Sequence, residues 1–137
     1  MKYLLDTNVI AELRKGARAN GKVRAWFATL DPDAIFLSVL TIGEIRRGIE
    51  SLRRRDLPSA RALDGWVHRI VTEHHARVLP VDLPIVEEWG RLSVPDPLPV
   101  IDGLLAATAK VHGLTLATRN VRDVSRTRVR LVNPFEA

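Results

Sequence analysis

Apolar positions along this chain follow two rhythms, short unbroken runs and helical stripes, and the two alternate from end to end. Tyr3-Leu4-Leu5 is a continuous apolar run that ends in Asp6, the pattern of a central parallel strand covered on both faces. Asp6 itself, Thr7 or Asn8 then suits the cap of a helix over Val9 to Arg14, and Gly16 breaks it. A second helix opens at Asn20 or Gly21 and keeps Val23, Trp26, Phe27 and Leu30 on one side. Asp31-Pro32-Asp33 is a turn, and Ala34 to Val39 is a second apolar strand. Thr41, with Glu44 three residues on, has the spacing of a capping box for a helix that aligns Ile42, Ile45, Ile49 and Leu52. Pro58 opens the next helix, through Leu63, Trp66, Val67 and Ile70 to His74-His75.

In the second half, Val78 to Val81 is a short strand, and Pro80 places it at a sheet edge or a strand end. Asp82 or Leu83 starts a helix through Val86, Trp89 and Leu92. After a loop carrying Pro95, Pro97 and Pro99, Val100 to His112 reads as an almost wholly buried helix, stopped by Gly113. Leu114 to Thr118 and Val129 to Val132 complete the strands. Strands alternating with helices predict an α/β fold with a central, mostly parallel sheet of four to five strands. Short linkers and the absence of repeats predict one unit over residues 1–137.

Composition narrows the class. An apolar fraction of 46% with 27% charged residues is that of a soluble globular domain. No apolar run approaches the ~18–20 residues of a membrane span. The start, with Asp6 and Glu12 and no small-residue cleavage site, does not read as a signal peptide. The lack of cysteine removes disulfides and thiolate metal sites and fits a cytoplasmic location. The net charge of +5 comes largely from arginine, whose planar fork suits phosphate and carboxylate. A nucleic acid or an acidic protein segment is the partner such a surface attracts, although a merely solvated basic surface fits equally well.

Four acids fall at equivalent places in this scheme. Asp6 ends the first strand, Glu44 lies early in the helix after the second, Asp102 opens the buried helix, and Asp123 follows the strand ending at Thr118. In a parallel sheet these places share one edge, so the acids converge although far apart in sequence. Gathered carboxylates repel unless a cation sits among them, and an all-oxygen set suits Mg²⁺ or Mn²⁺. Such an ion polarises a phosphoryl oxygen and lowers the pKa of bound water.

The blocks Leu4 to Ile10, Ser38 to Ile49, Asp102 to Ala109 and Ala117 to Asp123 closely resemble the PIN-domain ribonucleases, nearest to the VapC-type and FitB-like toxins of bacterial toxin–antitoxin modules. The resemblance runs from Leu4 to the end of the chain. It implies a PIN-like three-layer α/β/α sandwich, a single PIN domain over residues 1–137, and a metal-dependent cytoplasmic endoribonuclease. The implied partners are an RNA substrate, a cognate antitoxin and a second copy in a homodimer, with no membrane. By residue, Asp6, Glu44 and Asp102 match the family's principal metal-site acids, with Asp123 or Asn120 at the more variable fourth position. Thr7, Asn8 and Thr118 match polar positions flanking that site, and Arg119 and Arg122 are candidate RNA phosphate contacts.

Two other readings compete. A phosphatase of the haloacid dehalogenase type also uses an acid after the first strand, but it needs a second Asp two residues on, where this chain has Asn8. A non-catalytic nucleic-acid- or protein-binding module would use the basic surface alone, yet binding RNA gives no reason to gather four carboxylates.

Overall fold

The sheet is built outward from β1 (Tyr3–Leu5), which is covered on both faces: Leu4 and Leu5 are each 0% exposed although their side chains point to opposite sides. In the computed structural model, which describes residues 1–136, four further strands join it. These are β2 (Ile35–Ser38), β3 (Val78–Leu79), β4 (Thr115–Ala117) and β5 (Leu131–Val132). Their order is β3-β2-β1-β4-β5 and every pairing is parallel, which makes the sheet parallel throughout rather than mostly so. In register, Tyr3 lies opposite both Ile35 and Thr115, and Leu5 lies opposite Ala117. β3 stands at an edge, as Pro80 indicates.

The chain winds from β1 to β2 and β3 on one side and returns to β4 and β5 on the other. The order therefore reverses between β1 and β4, where parallel sheets open a crevice beyond the strand ends. Asp6 stands at that point, its amide donating to the Ala117 carbonyl at 2.9 Å.

Among the described residues, seven α-helices cover the sheet: α1 (Thr7–Leu13), α2 (Gly21–Ala28), α3 (Val39–Arg53), α4 (Leu57–Glu73), α5 (Leu83–Leu92), α6 (Val100–His112) and the single turn α7 (Val121–Val124). On one face Leu4 and Leu116 pack against Leu105, Ala106 and Ala109 of α6, with Val124 and Val129. On the other, Leu5, Ile35, Leu37 and Ala117 meet Val9 and Ile10 of α1, Val23 of α2, and Trp26, Trp66 and Ile70. This is the expected three-layer α/β/α arrangement. Burying each large aliphatic side chain stabilises it by about 1.5–3 kcal/mol.

Two helix starts differ from the sequence reading. The helix expected to begin at Thr41 begins at Val39, because β2 runs into α3 without a loop and Ser38 Oγ accepts from the Leu40 amide at 3.0 Å. Thr41 is thereby buried, its hydroxyl lacking a hydrogen-bond partner, and the capping box does not form. The first helix begins at Thr7, two residues before Val9, and of the three cap candidates Asp6 takes the place. The other expected stops hold. Asn20 caps α2, Asp82 caps α5, and Gly113 ends α6 with φ +67°, a conformation that suits glycine.

α3 and α4 form an antiparallel pair clamped at the surface. Asp64 accepts from Arg46 at 2.6 Å and from Arg53 at 2.8 Å, and Arg53 also pairs with Glu50. Arg53 is thus tied into a bridge between helices rather than left to solvent. Among the described residues, no helix is long and apolar enough to cross a membrane.

Candidate active site

Asp6 is the most constrained acid of the sheet edge. It is 4% exposed, and both carboxylate oxygens are occupied. Oδ1 accepts from the Thr7 amide at 2.6 Å, while Oδ2 accepts from the Thr118 hydroxyl at 2.7 Å and the Asn8 amide group at 3.3 Å. Thr118 Oγ1 in turn accepts from the Asn120 amide, and Asn8 Oδ1 accepts from the Arg119 amide. Residues after β1 and after β4 are therefore laced together around one carboxylate. Asn8 acts as a tie between strand ends, and no second acid occupies the place a phosphatase of the competing type would require.

Glu44 reaches this edge from the second turn of α3. Its Oε1 accepts from the Thr7 hydroxyl at 2.5 Å, linking α1 to α3. Asp102 stands in the first turn of α6, where the helix dipole favours negative charge. Its helix is seated by a close approach: a Cβ on the neighbouring Gly103 would lie 3.0 Å from Trp89 Cδ1 of α5. Asp123 is exposed on α7, and its charge reaches Asp102.

The charges of the acids act on one another. Burial pushes the Asp102 carboxyl above the ordinary aspartate range, and the charges of Asp6, Asp123 and Glu44 push it further. Burial also raises Asp6, opposed by its hydrogen bonds from Thr118 and Thr7 and reinforced by Glu44. Among the described residues, none of the four acids forms a salt bridge; the protein supplies the negative charge without a matching side-chain cation. In kind, such an oxygen-only, mutually repelling set fits a hard divalent ion. Among the described residues, however, no three His, Asp or Glu side chains are already posed to hold one. Glu44, for instance, is turned onto Thr7.

The remaining sequence candidates divide. Both candidates for the fourth position are exposed; the Asp123 charge acts on Asp102, and Asn120 joins the network through its backbone amide. The Arg119 guanidinium lies 4.3 Å over the Phe135 ring, a cation–π contact that engages it with the C-terminal segment. Arg122 is exposed on α7. His74 Nδ1 is 3.3 Å from Arg77, and Trp26 stands edge-on to Tyr3 at 5.2 Å, so neither belongs to the acid cluster. Arg47 was not singled out from the sequence; its signal was the i,i+3 spacing from Glu44, which puts the two on one helix face.

With that geometry established, four likenesses bear on it. A family model described as PIN domain matches residues 3–129. Toxin FitB of Neisseria gonorrhoeae is 31% identical over 140 residues, spanning 96% of this chain and 97% of that protein. VapC ribonuclease Y4jK of Sinorhizobium fredii is 33% identical over 141 residues, with 97% of each chain covered. The crystal structure of FitAcB from Neisseria gonorrhoeae superposes with a TM-score of 0.89 at 30% identity, covering 98% of this chain and 99% of that one.

Proposed function

The chain belongs to the PIN-domain family, and from that premise we propose that it is the ribonuclease toxin of a toxin–antitoxin pair, with Asp6, Glu44, Asp102 and Asp123 as its divalent-metal site. The observation that carries the reading is the buried Asp6 at the sheet's switch point, within reach of the Glu44 and Asp102 charges and, among the described residues, with no side-chain cation paired to any of the three. A bound Mg²⁺ or Mn²⁺ supplies a Lewis acid for the scissile phosphate and a lowered pKa for water.

The chain's own groups do the rest. Asp6 and Asp102 would hold the ion through their carboxylate oxygens. Thr118, Thr7 and Asn8 fix the Asp6 carboxylate by donating to both of its oxygens, so its orientation is set before ligand arrives. Glu44 and Asp123 would hold metal-bound water or a second ion beside that pair. The basic surface offsets the repulsion between an acidic site and a polyanionic strand.

RNA is the substrate by the kinship with the VapC ribonuclease, and a cognate antitoxin is the natural inhibitor of a toxin of this kind. Action in the cytoplasm, as a homodimer and as a single domain over the full chain, belongs to the same reading. The direct test is incubation of purified protein with a pool of cellular RNAs in Mg²⁺, in Mn²⁺ and in chelator. Discrete cuts that require metal and disappear in Asp6→Asn support the proposal. Metal-independent cuts, or equal cutting by the variant, would remove these acids from the chemistry.

A further inference from the structure

Beside Glu44 the surface opens into a notch of about 300 Å³ lined by Val39, Leu40, Gly43, Glu44 and Arg47 of α3 and Ile101 of α6. Its walls are apolar, and Val39 is 42% exposed. Gly43 leaves the middle open: a Cβ there would meet nothing within 4 Å. Two charged groups border it, and they differ in kind. Glu44 belongs to the acid cluster, whereas Arg47 is exposed and, among the described residues, makes no hydrogen bond or ion pair through its guanidinium. The contrast with its neighbour is plain, because Arg46 is engaged by Asp64 and Glu50.

We infer that this notch is the seat of the RNA nucleotide next to the scissile phosphate, with its base between Val39, Leu40 and Ile101 and its phosphate on Arg47. The inference rests on the ribonuclease reading and adds a substrate subsite to it. Three observations select a nucleotide as the occupant. The notch shares Glu44 with the acid cluster, so whatever fills it continues directly into the site. Its volume stands at the small end of ligand pockets, room for one flat group and not for a protein helix. Its one uncommitted cation stands a helical turn beyond Glu44, and arginine recognises phosphate through a fork of paired donors. Recognition of single-stranded RNA works through bases splayed out of the stack, and an apolar slot flanked by a cation receives such a base.

The test uses a short single-stranded RNA and the full chain carrying Asp102→Asn, expected to stop cutting and leave binding to be read alone. Into that background Arg47→Gln and Gly43→Leu are introduced separately, and binding is followed by fluorescence anisotropy across a salt series. Losing one charge-assisted phosphate contact weakens binding about tenfold, equivalent to 1.4 kcal/mol. It also flattens the slope of log K against log salt by about 0.7. Gly43→Leu fills the slot, so it weakens binding while leaving that slope unchanged. With Asp102 restored, both variants raise KM more than they lower kcat and alter the nucleotide preference beside the cut. Wild-type affinity and slope in both variants would overturn the inference. So would intact RNA binding accompanied by loss of self-association in gel filtration, which would make the notch an interface between copies. Failure of the unmodified chain to bind or cut RNA is a different result, because it strikes the ribonuclease reading itself.

Discussion

Thr118 shows how much one side chain carries at this site. It is 1% exposed, donates to Asp6 Oδ2 at 2.7 Å and accepts from the Asn120 amide at 3.0 Å. Thr118→Val keeps the shape but removes a buried donor and leaves Asp6 Oδ2 only the longer bond from Asn8, so urea unfolding should show a loss of about 1–3 kcal/mol, with Thr118→Ser recovering most of it. A loss under half a kcal/mol would mean that water replaces the hydroxyl without penalty. Asp102 offers a prediction of opposite sign. A carboxyl whose pKa is raised in the folded protein favours the protonated form there. The stability it contributes is therefore complete below the ordinary carboxylate range and is lost as pH climbs through the raised value. Asp102→Asn should accordingly raise the melting temperature of the metal-free protein at neutral pH, on the order of a few degrees. The wild-type protein should fall behind the variant as pH rises from the acid side. Glu50, Asp64 and Glu88 have lowered values and pull the other way in both proteins, so the difference between the two curves is the quantity to read. Curves that stay parallel across that range would deny the crowding of charge.

At the scale of elements, the seat of α6 against α5 sets where Asp102 stands. Gly103→Ala brings a methyl to 3.0 Å from Trp89 Cδ1 and 3.4 Å from Leu98 Cβ. The helix-propensity gain of about 1 kcal/mol from replacing glycine is offset by overpacking of about 1–3 kcal/mol. The variant should therefore melt lower and bind metal more weakly, and Trp89→Leu in the same chain should restore both. Thermal melts of the single and double variants give the coupling directly, and additive effects would show that the contact is not what seats the helix. Element positions were largely legible from sequence because periodicity and caps act locally: Asn20, Asp82 and Gly113 mark the boundaries they were expected to mark. The start of α3 was not, because Ser38 and Thr41 are both good caps and only the direct passage from β2 decides between them. The capping-box spacing of Thr41 and Glu44 was thus a coincidence of sequence, and Glu44 bonds instead to Thr7, 37 residues away.

For the whole molecule, the reversal of strand order between β1 and β4 does the organising. It places the end of β1, the passage from β4 to α7 and the starts of α3 and α6 around one crevice, which is why acids at positions 6, 44, 102 and 123 influence one another. That convergence could be read from sequence, since alternating strands and helices imply a parallel sheet with its sites at one edge. What sequence could not supply was pairing across distance. Nothing in the pattern tells Arg46, bound to Asp64, from the adjacent and uncommitted Arg47, or shows Arg119 lying on Phe135. The central claim is that the acid cluster is one metal site, and Mn²⁺ binding followed by paramagnetic resonance tests it without relying on cleavage. Wild-type protein should bind Mn²⁺ and release it to excess Mg²⁺, while Asp102→Asn, still folded by circular dichroism, should lose most of that binding. Equal Mn²⁺ affinity in the two proteins would contradict the account.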